Sequence, residues 1–216
     1  MFSVLKHSIL GKAIQNGILQ LEVIDIRKYS RDKHKKCDDY PYGGGAGMLM
    51  TVQPIFDCIT HIDPNHKAKR ILLSPVGYQF NDSIARRLVV EQLSNQYEEL
   101  IFLCGHYEGV DQRVIDICID ECLSIGDYIL TGGELAAMVT IDALSRYCDN
   151  VLGNELSIQE ESFVNHLLEY SQYTRPAVFQ NLEVPPVLLS GDHAKIKQWR
   201  QDSATKNTKK YRPDLL

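Results

Sequence analysis

A chain of 216 residues has room for one large domain, or for one domain and a smaller appendage, and its 44% hydrophobic and 24% charged residues are ordinary for a globular protein. No apolar run approaches the roughly 18 residues that a membrane span needs, and the start, MFSVLKHSIL, has neither the apolar core nor the cleavage site of a secretion signal. A cytoplasmic protein with no membrane partner is expected, and the net charge of −5 would exclude a nucleic-acid partner only if it were evenly spread.

It is not evenly spread. Residues 27–36 carry six Lys/Arg against one Asp, residues 191–216 carry seven against three acids, and residues 37–190 carry eight against 22. Taken in chain order, the first strand-like run is LQLEVIDI (19–26), followed by the basic cluster RKYSRDKHKK (27–36). Two readings of the cluster stand open: phosphate contacts that position a nucleic acid, or a solvated loop. Next comes PYGGGAGM (41–48). Met48 and Met50 stand where GxGxxG needs its last glycine, and no Gly-Lys-Ser/Thr follows, so it is neither a dinucleotide fingerprint nor a P-loop. Four glycines in five positions cost unfolded-chain entropy, which favours a loop whose backbone must approach a ligand or partner.

Helical spacing follows at PIFDCITHI (54–62), then a strand, RILLSP (70–75), and a helix capped at Asn81 with Ile84, Leu88 and Val89 on one face. A strand ELIFLCG (99–105), a helix VDQRVIDICI (110–119) and a weaker strand ECLSIG (121–126) lead to the most regular helix, GELAAMVTIDALSRY (133–147). There Leu135, Met138, Ile141 and Leu144 fall three apart. This alternation predicts βαβ units and an α/β fold with a largely parallel sheet. The periodicity stops near Asp149. Residues 1–149 are read as the sheet domain, 150–165 as a flexible inter-domain linker, and 166–216 as a small helical domain whose main helix opens at an Asp192 cap. Six cysteines without a CxxC pair and seven unclustered histidines predict reduced thiols and no structural metal.

Three Gly- or Pro-containing turns close predicted strands: LLSP (72–75), CGHYEGVDQR (104–113) and SIGDYILTGGE (124–134). Each alone reads as a tight turn. Together they mark the C-terminal edge of a parallel sheet, where such folds bind ligands. None carries a lysine placed for phosphates, so the expected ligand is a flat heterocycle read by main-chain groups.

The ordered set YGGGAGM, LSP, CGHYEGVDQR, SIGDYILTGGELAAM, YTRP and VPPVLLSGDHAKIKQWR resembles the bacterial tRNA (guanine-N1)-methyltransferases of the SPOUT superfamily, from about residue 9 to the C-terminus. The resemblance implies a sheet domain with a deep trefoil knot and a homodimer whose active site draws on both subunits. It implies that S-adenosylmethionine lies against Leu73-Ser74-Pro75, Gly105, Tyr107-Glu108-Gly109, Ile125-Gly126, Tyr128, Leu130 and Gly132-Gly133. A tRNA anticodon loop would be gripped by the basic loop and the C-terminal domain. Arg146 matches the family's catalytic arginine, and it also suits a helix C-terminus as a cation. Ring nitrogen 1 of guanine carries a proton, so a base is needed. The family's Asp aligns with Glu161, the alternatives being Glu160 or a water relay. Glu108 is the other carboxylate near the target base, where it would orient the base or help to hold Mg²⁺. The metal is implied by resemblance alone. Three departures accompany it: the chain opens one strand later than the family, its tail is shorter, and Ala136 stands where Pro is frequent.

Overall fold

The computed structural model describes residues 1–152 and 161–216. The chain divides into two compact units, Met1–Gly153 and Asn154–Leu216. The first unit runs α1 (Ser8–Gln15), β1 (Asp38–Asp39), β2 (Leu49–Met50), α2 (Val52–Ile62), β3 (Ala68–Gln79), α3 (Asp82–Leu93), β4 (Glu99–Cys104), α4 (Gln112–Cys118), β5 (Glu121–Ser124) and α5 (Glu134–Ser145). β3 is central, with β4 and β5 parallel on either side.

Alternation along β3 sends successive side chains to opposite faces. Ile71 and Leu73 pack with Leu123 against Ala85, Leu88 and Val89 of α3 and Ala136, Ala137 and Leu144 of α5. Leu72 packs with Leu103 and Met50 against Ile55 and Ile59 of α2 and Val114 and Cys118 of α4. The result is an α/β fold with helices on both faces of a parallel sheet. The helix expected at Asn81 begins there, because the Asn81 side chain accepts a hydrogen bond from the Ile84 N–H at 3.0 Å.

Three expectations are corrected. Residues 19–26 form no strand: Val23 is 58% exposed, and no strand among the described residues pairs with the segment. β-branched content makes a strand only where a neighbour completes the ladder. The strand expected over 70–75 runs on to Gln79 through an irregularity described below. The face α5 turns to the sheet is not the 135/138/141/144 stripe, since Leu135 is 45% exposed while Ala136, Ala137, Thr140 and Leu144 are buried. Apolar residues surround most of α5 and two of its buried residues, Thr140 and Ser145, are polar, so its inner face is not announced, and small residues let it sit close to the sheet. The α1 helix and the β1–β2 pair, bridging the glycine loop, had no clear signal.

The second unit holds β6 (Val178–Phe179) antiparallel to β7 (Leu182–Glu183), then α6 (Pro186–Leu189) and α7 (His193–Tyr211). Asp192 caps α7 through the Lys195 N–H at 3.1 Å. Polar side chains of α7 hold the preceding segment: Thr208 Oγ1 accepts from the Leu168 N–H at 2.8 Å, and Ser203 Oγ from the Ser171 N–H at 3.0 Å.

Candidate active site

The three loops singled out in the sequence all leave the C-terminal edge of the parallel sheet. The first is a bulge inside β3. Leu73 and Tyr78 both register with Leu123, so residues 74–77 are extruded from the ladder. Gly77 makes this possible: a Cβ there would stand 2.4 Å from the Leu123 nitrogen and 2.4 Å from the Cys122 carbonyl carbon. Pro75 and Val76 are consequently exposed, next to buried Leu73.

The second loop follows β4 and is stitched to the glycine loop around Met48–Met50. The Met50 N–H donates to the Gly109 carbonyl at 2.9 Å, the Asp111 N–H to the Met50 carbonyl at 3.0 Å, and the Glu108 N–H to the Met48 carbonyl at 3.1 Å. Glu108 leans over Gly47, where a Cβ would meet its Oε1 at 2.6 Å. Gly43, Gly44, Gly45 and Gly47 all have positive φ, which other residues adopt only with strain. The close approach expected of this loop is therefore partly internal: the Glu108 carboxylate fills it. Tyr107, itself at φ +60°, reaches Asp38 with its hydroxyl at 3.3 Å.

The third loop follows β5. Gly126, at φ +151°, leaves room for the Tyr128 ring, which would lie 2.4 Å from a Cβ. The Tyr128 hydroxyl donates to the Ile125 carbonyl at 3.2 Å, and its N–H to the Gly126 carbonyl at 3.0 Å. The main-chain groups of Ile129 and Leu130 have no hydrogen-bond partner among the described residues. That free capacity is what a heterocycle read by backbone groups would require. The loop ends where the Gly133 N–H donates to the Gly105 carbonyl at 2.8 Å.

Over residues 1–216 the chain matches the family described as tRNA (Guanine-1)-methyltransferase TrmD. It belongs to that family. A tRNA (guanine-N(1)-)-methyltransferase of Clostridium botulinum (strain Hall) is 52% identical over 216 residues, all of this chain and 87% of the relative. The enzyme of the same name from Clostridium perfringens (strain SM101) is 50% identical over the same length, covering 89% of the relative.

Against that family background, the remaining candidate residues fall in two places. Arg146 follows α5 as its C-terminal cap. Its neighbour Tyr147 is held from α3: the Tyr147 hydroxyl is hydrogen-bonded to Asp82, Arg86 stacks on the Tyr147 ring at 4.5 Å, and Arg86 pairs with Asp82 at 2.8 Å. Glu161 lies in the second unit, where its carbonyl accepts from the Val164 N–H at 3.3 Å. Glu160, the alternative base, lies outside the described residues.

Thiol chemistry has no place at this edge. Burial, with the charge of Glu134, pushes the Cys104 thiol up to about 12, so it keeps its proton. Among the described residues no three His, Cys, Asp or Glu side chains stand together as a metal site. No helix among them is long and apolar enough to cross a membrane. The sequence patterns did not single out Gly77, His106 or Glu134. Gly77 had a local signal, a glycine two residues beyond Pro75, while the others declare themselves only once the loops are brought together.

Proposed function

We propose that this chain transfers a methyl group from S-adenosylmethionine to nitrogen 1 of the guanine immediately 3′ of the anticodon in tRNA. The observation that carries the reading is the full-length family match joined to three loops at the C-terminal edge of the sheet, two of them hydrogen-bonded to each other. The cofactor would lie against Leu73, Ser74, Pro75, Gly105, Tyr107, Gly109, Ile125, Gly126, Tyr128, Leu130, Gly132 and Gly133. The main-chain groups of Leu130, without a hydrogen-bond partner among the described residues, support a flat heterocycle there. When bound, the cofactor supplies a methyl already made electrophilic by its sulfonium.

The chain's own residues then have two tasks, positioning and proton management. Glu161 takes the proton from nitrogen 1, opening its lone pair for attack. Arg146 stabilises the negative charge that gathers on the adjoining carbonyl oxygen. Glu108, seated over Gly47 at the pocket edge, orients the base. The 12-residue helix α5 separates Gly133 from Arg146 by about 20 Å at 1.5 Å per residue. That distance supports a homodimer in which the arginine serves the partner's pocket. The same reading places a trefoil knot in the sheet domain, tRNA contacts on residues 27–36 and on the second unit, and the enzyme in the cytoplasm with its substrate.

The test uses labelled cofactor and tRNA transcripts differing only at the guanine that follows the anticodon. Label should enter the guanine transcript and not its adenine counterpart. Equal labelling of both, or labelling of neither, would overturn the assignment.

A further inference from the structure

Two of the proposed cofactor loops leave strands that do not touch. β4 and β5 are separated by β3, so roughly two inter-strand spacings, near 10 Å, divide the points where the loops begin. No extended ladder holds these loops together, yet two links do. His106 and Gly132 form an isolated antiparallel bridge, in which the Gly133 N–H donates to the Gly105 carbonyl at 2.8 Å, and His106 Nε2 lies 2.5 Å from Glu134 Oε1. The two glycines are consumed by this closeness. A Cβ on Gly133 would stand 2.8 Å from the Cys104 Cα, and one on Gly132 would stand 2.5 Å from Glu134 Oε2 and 2.9 Å from the His106 ring.

Of the two links, only the His106–Glu134 pair is made by side chains. Glu134 opens α5, where the helix dipole favours a carboxylate, and the short contact requires a proton on His106 Nε2. The main chain beneath the imidazole is held as well, since the His106 backbone N–H donates to the Met50 sulfur at 3.3 Å, and the ring itself lies tilted to that of Tyr107 at 6.2 Å. His106 is 47% exposed in its side chain and Glu134 21%, so the pair adds little to the stability of the fold. Its consequence is local: it fixes how far apart the two loops stand.

We infer that His106 and Glu134 are a positioning pair, a clasp that sets the spacing of the two loops between which S-adenosylmethionine binds. The inference rests on the cofactor pocket proposed above and assigns no chemical step to either residue. Neither touches the reacting atoms. A pocket assembled from main-chain groups on two separate loops recognises its ligand only when the loops hold their distance, and the clasp supplies that constraint before the ligand arrives.

The experiment is calorimetric titration of S-adenosylmethionine into the full chain and into H106A, E134A, the double variant and H106Q, with a thermal melt of each. Each single alanine should weaken binding about five- to tenfold, and the double variant should be no weaker than either single, because one interaction has been lost twice. H106Q should restore most of the affinity, since its amide donates from the position of the imidazole Nε2. Melting temperatures should stay together throughout. Single variants that bind like the parent would overturn the clasp. So would losses that multiply in the double variant, a glutamine that fails to rescue, or melting temperatures that fall in step with affinity. A parent chain that gives no binding heat would instead sink the pocket reading, and the clasp with it.

Discussion

The two ends of the parallel sheet are built from opposite materials. At the end where the strands begin, charge is buried and saturated. The Asp63 carboxylate accepts from the Lys67 N–H at 2.7 Å and from Arg70 Nε at 2.7 Å, and its carbonyl takes Arg70 Nη2 at 2.8 Å. Asp120 accepts from the Arg70 N–H at 2.8 Å and meets His66 at 2.9 Å. Asp63 and Arg70 are 4% and 8% exposed. At the end where the strands finish, the links are main-chain hydrogen bonds between glycine loops and the His106–Glu134 contact, and the side chains of Glu108 and His106 are exposed. One end buries its charged pairs and the other keeps its polar side chains at the surface. A parallel sheet directs function to its C-terminal edge, and here the supply of unsatisfied groups agrees with the topology.

The largest expected effect lies outside both ends. Glu161→Gln keeps size and polarity but accepts no proton, so single-turnover rates with saturating tRNA and cofactor should fall about 10²–10⁴-fold. Cofactor binding and melting temperature should hold. Glu161→Asp should keep substantial activity, and Glu160→Gln should be mild. Should Glu160→Gln be the crippled variant, the base lies one residue earlier.

Next is the saturated end. Asp63→Asn leaves the Arg70 charge buried and uncompensated, at a cost of about 3–5 kcal/mol in denaturant unfolding. Cofactor affinity of the folded fraction should not move, and a large change would mean that the two ends are coupled. Burial pushes the Asp63 carboxyl up, but the Lys67 N–H and Arg70 outweigh it and hold the group below its ordinary value. The group binds its proton more weakly folded than unfolded. Its stabilisation is therefore present above the unfolded carboxylate pKa of about 4 and lost as pH falls through the lower folded value. A pH series of unfolding midpoints should show this loss in the parent and not in Asp63→Asn.

How much of this was legible beforehand follows the same division. The glycine loops were visible because glycine marks unusual backbone wherever it clusters, and the Asn81 and Asp192 caps were visible because capping is local. The α/β alternation was legible from apolar periodicity. The inner face of α5 was not, because apolar residues lie on most sides of the helix and its buried side includes the polar Thr140 and Ser145. The run at 19–26 misled for a related reason: strand propensity is a statement about neighbours, and the sequence does not list them. The Asp63–Arg70–Asp120 network and the seating of Glu108 on Gly47 span up to 61 residues of chain, a range at which no local pattern operates.

Gly132→Val probes the open end directly. The added side chain would force apart Glu134 and His106, whose atoms lie 2.5 and 2.9 Å from the new Cβ. Because these are the ends of partly exposed side chains, the melting temperature should fall little while calorimetry detects no S-adenosylmethionine binding. A variant that binds normally would show that the glycine serves only the turn.

The smallest effect separates committed from available charge within one loop. In residues 27–36, Arg31 is held by Asp57 in two hydrogen bonds, at 2.9 and 3.1 Å, and the Lys35 amine donates to the Ser30 carbonyl at 3.0 Å. Asp32 caps the turn through the His34 N–H at 2.7 Å. The amines of Lys28, Lys33 and Lys36 make no hydrogen bond or ion pair among the described residues. Within the loop Arg31 and Lys35 are tied to the fold, and the amines of Lys28, Lys33 and Lys36 are the ones open to test as polyanion contacts. Replacing Lys28, Lys33 and Lys36 by Gln should weaken tRNA binding and flatten the plot of log K against log salt by about two to three units. Replacing Lys35 alone should leave the slope nearly unchanged and instead loosen the loop, seen as faster amide exchange at residues 30–36. Cofactor affinity should be indifferent to both. Fluorescence titrations of tRNA at several salt concentrations decide the matter. A slope that survives the triple replacement would make the cluster a solvated loop and move the phosphate contacts to α7.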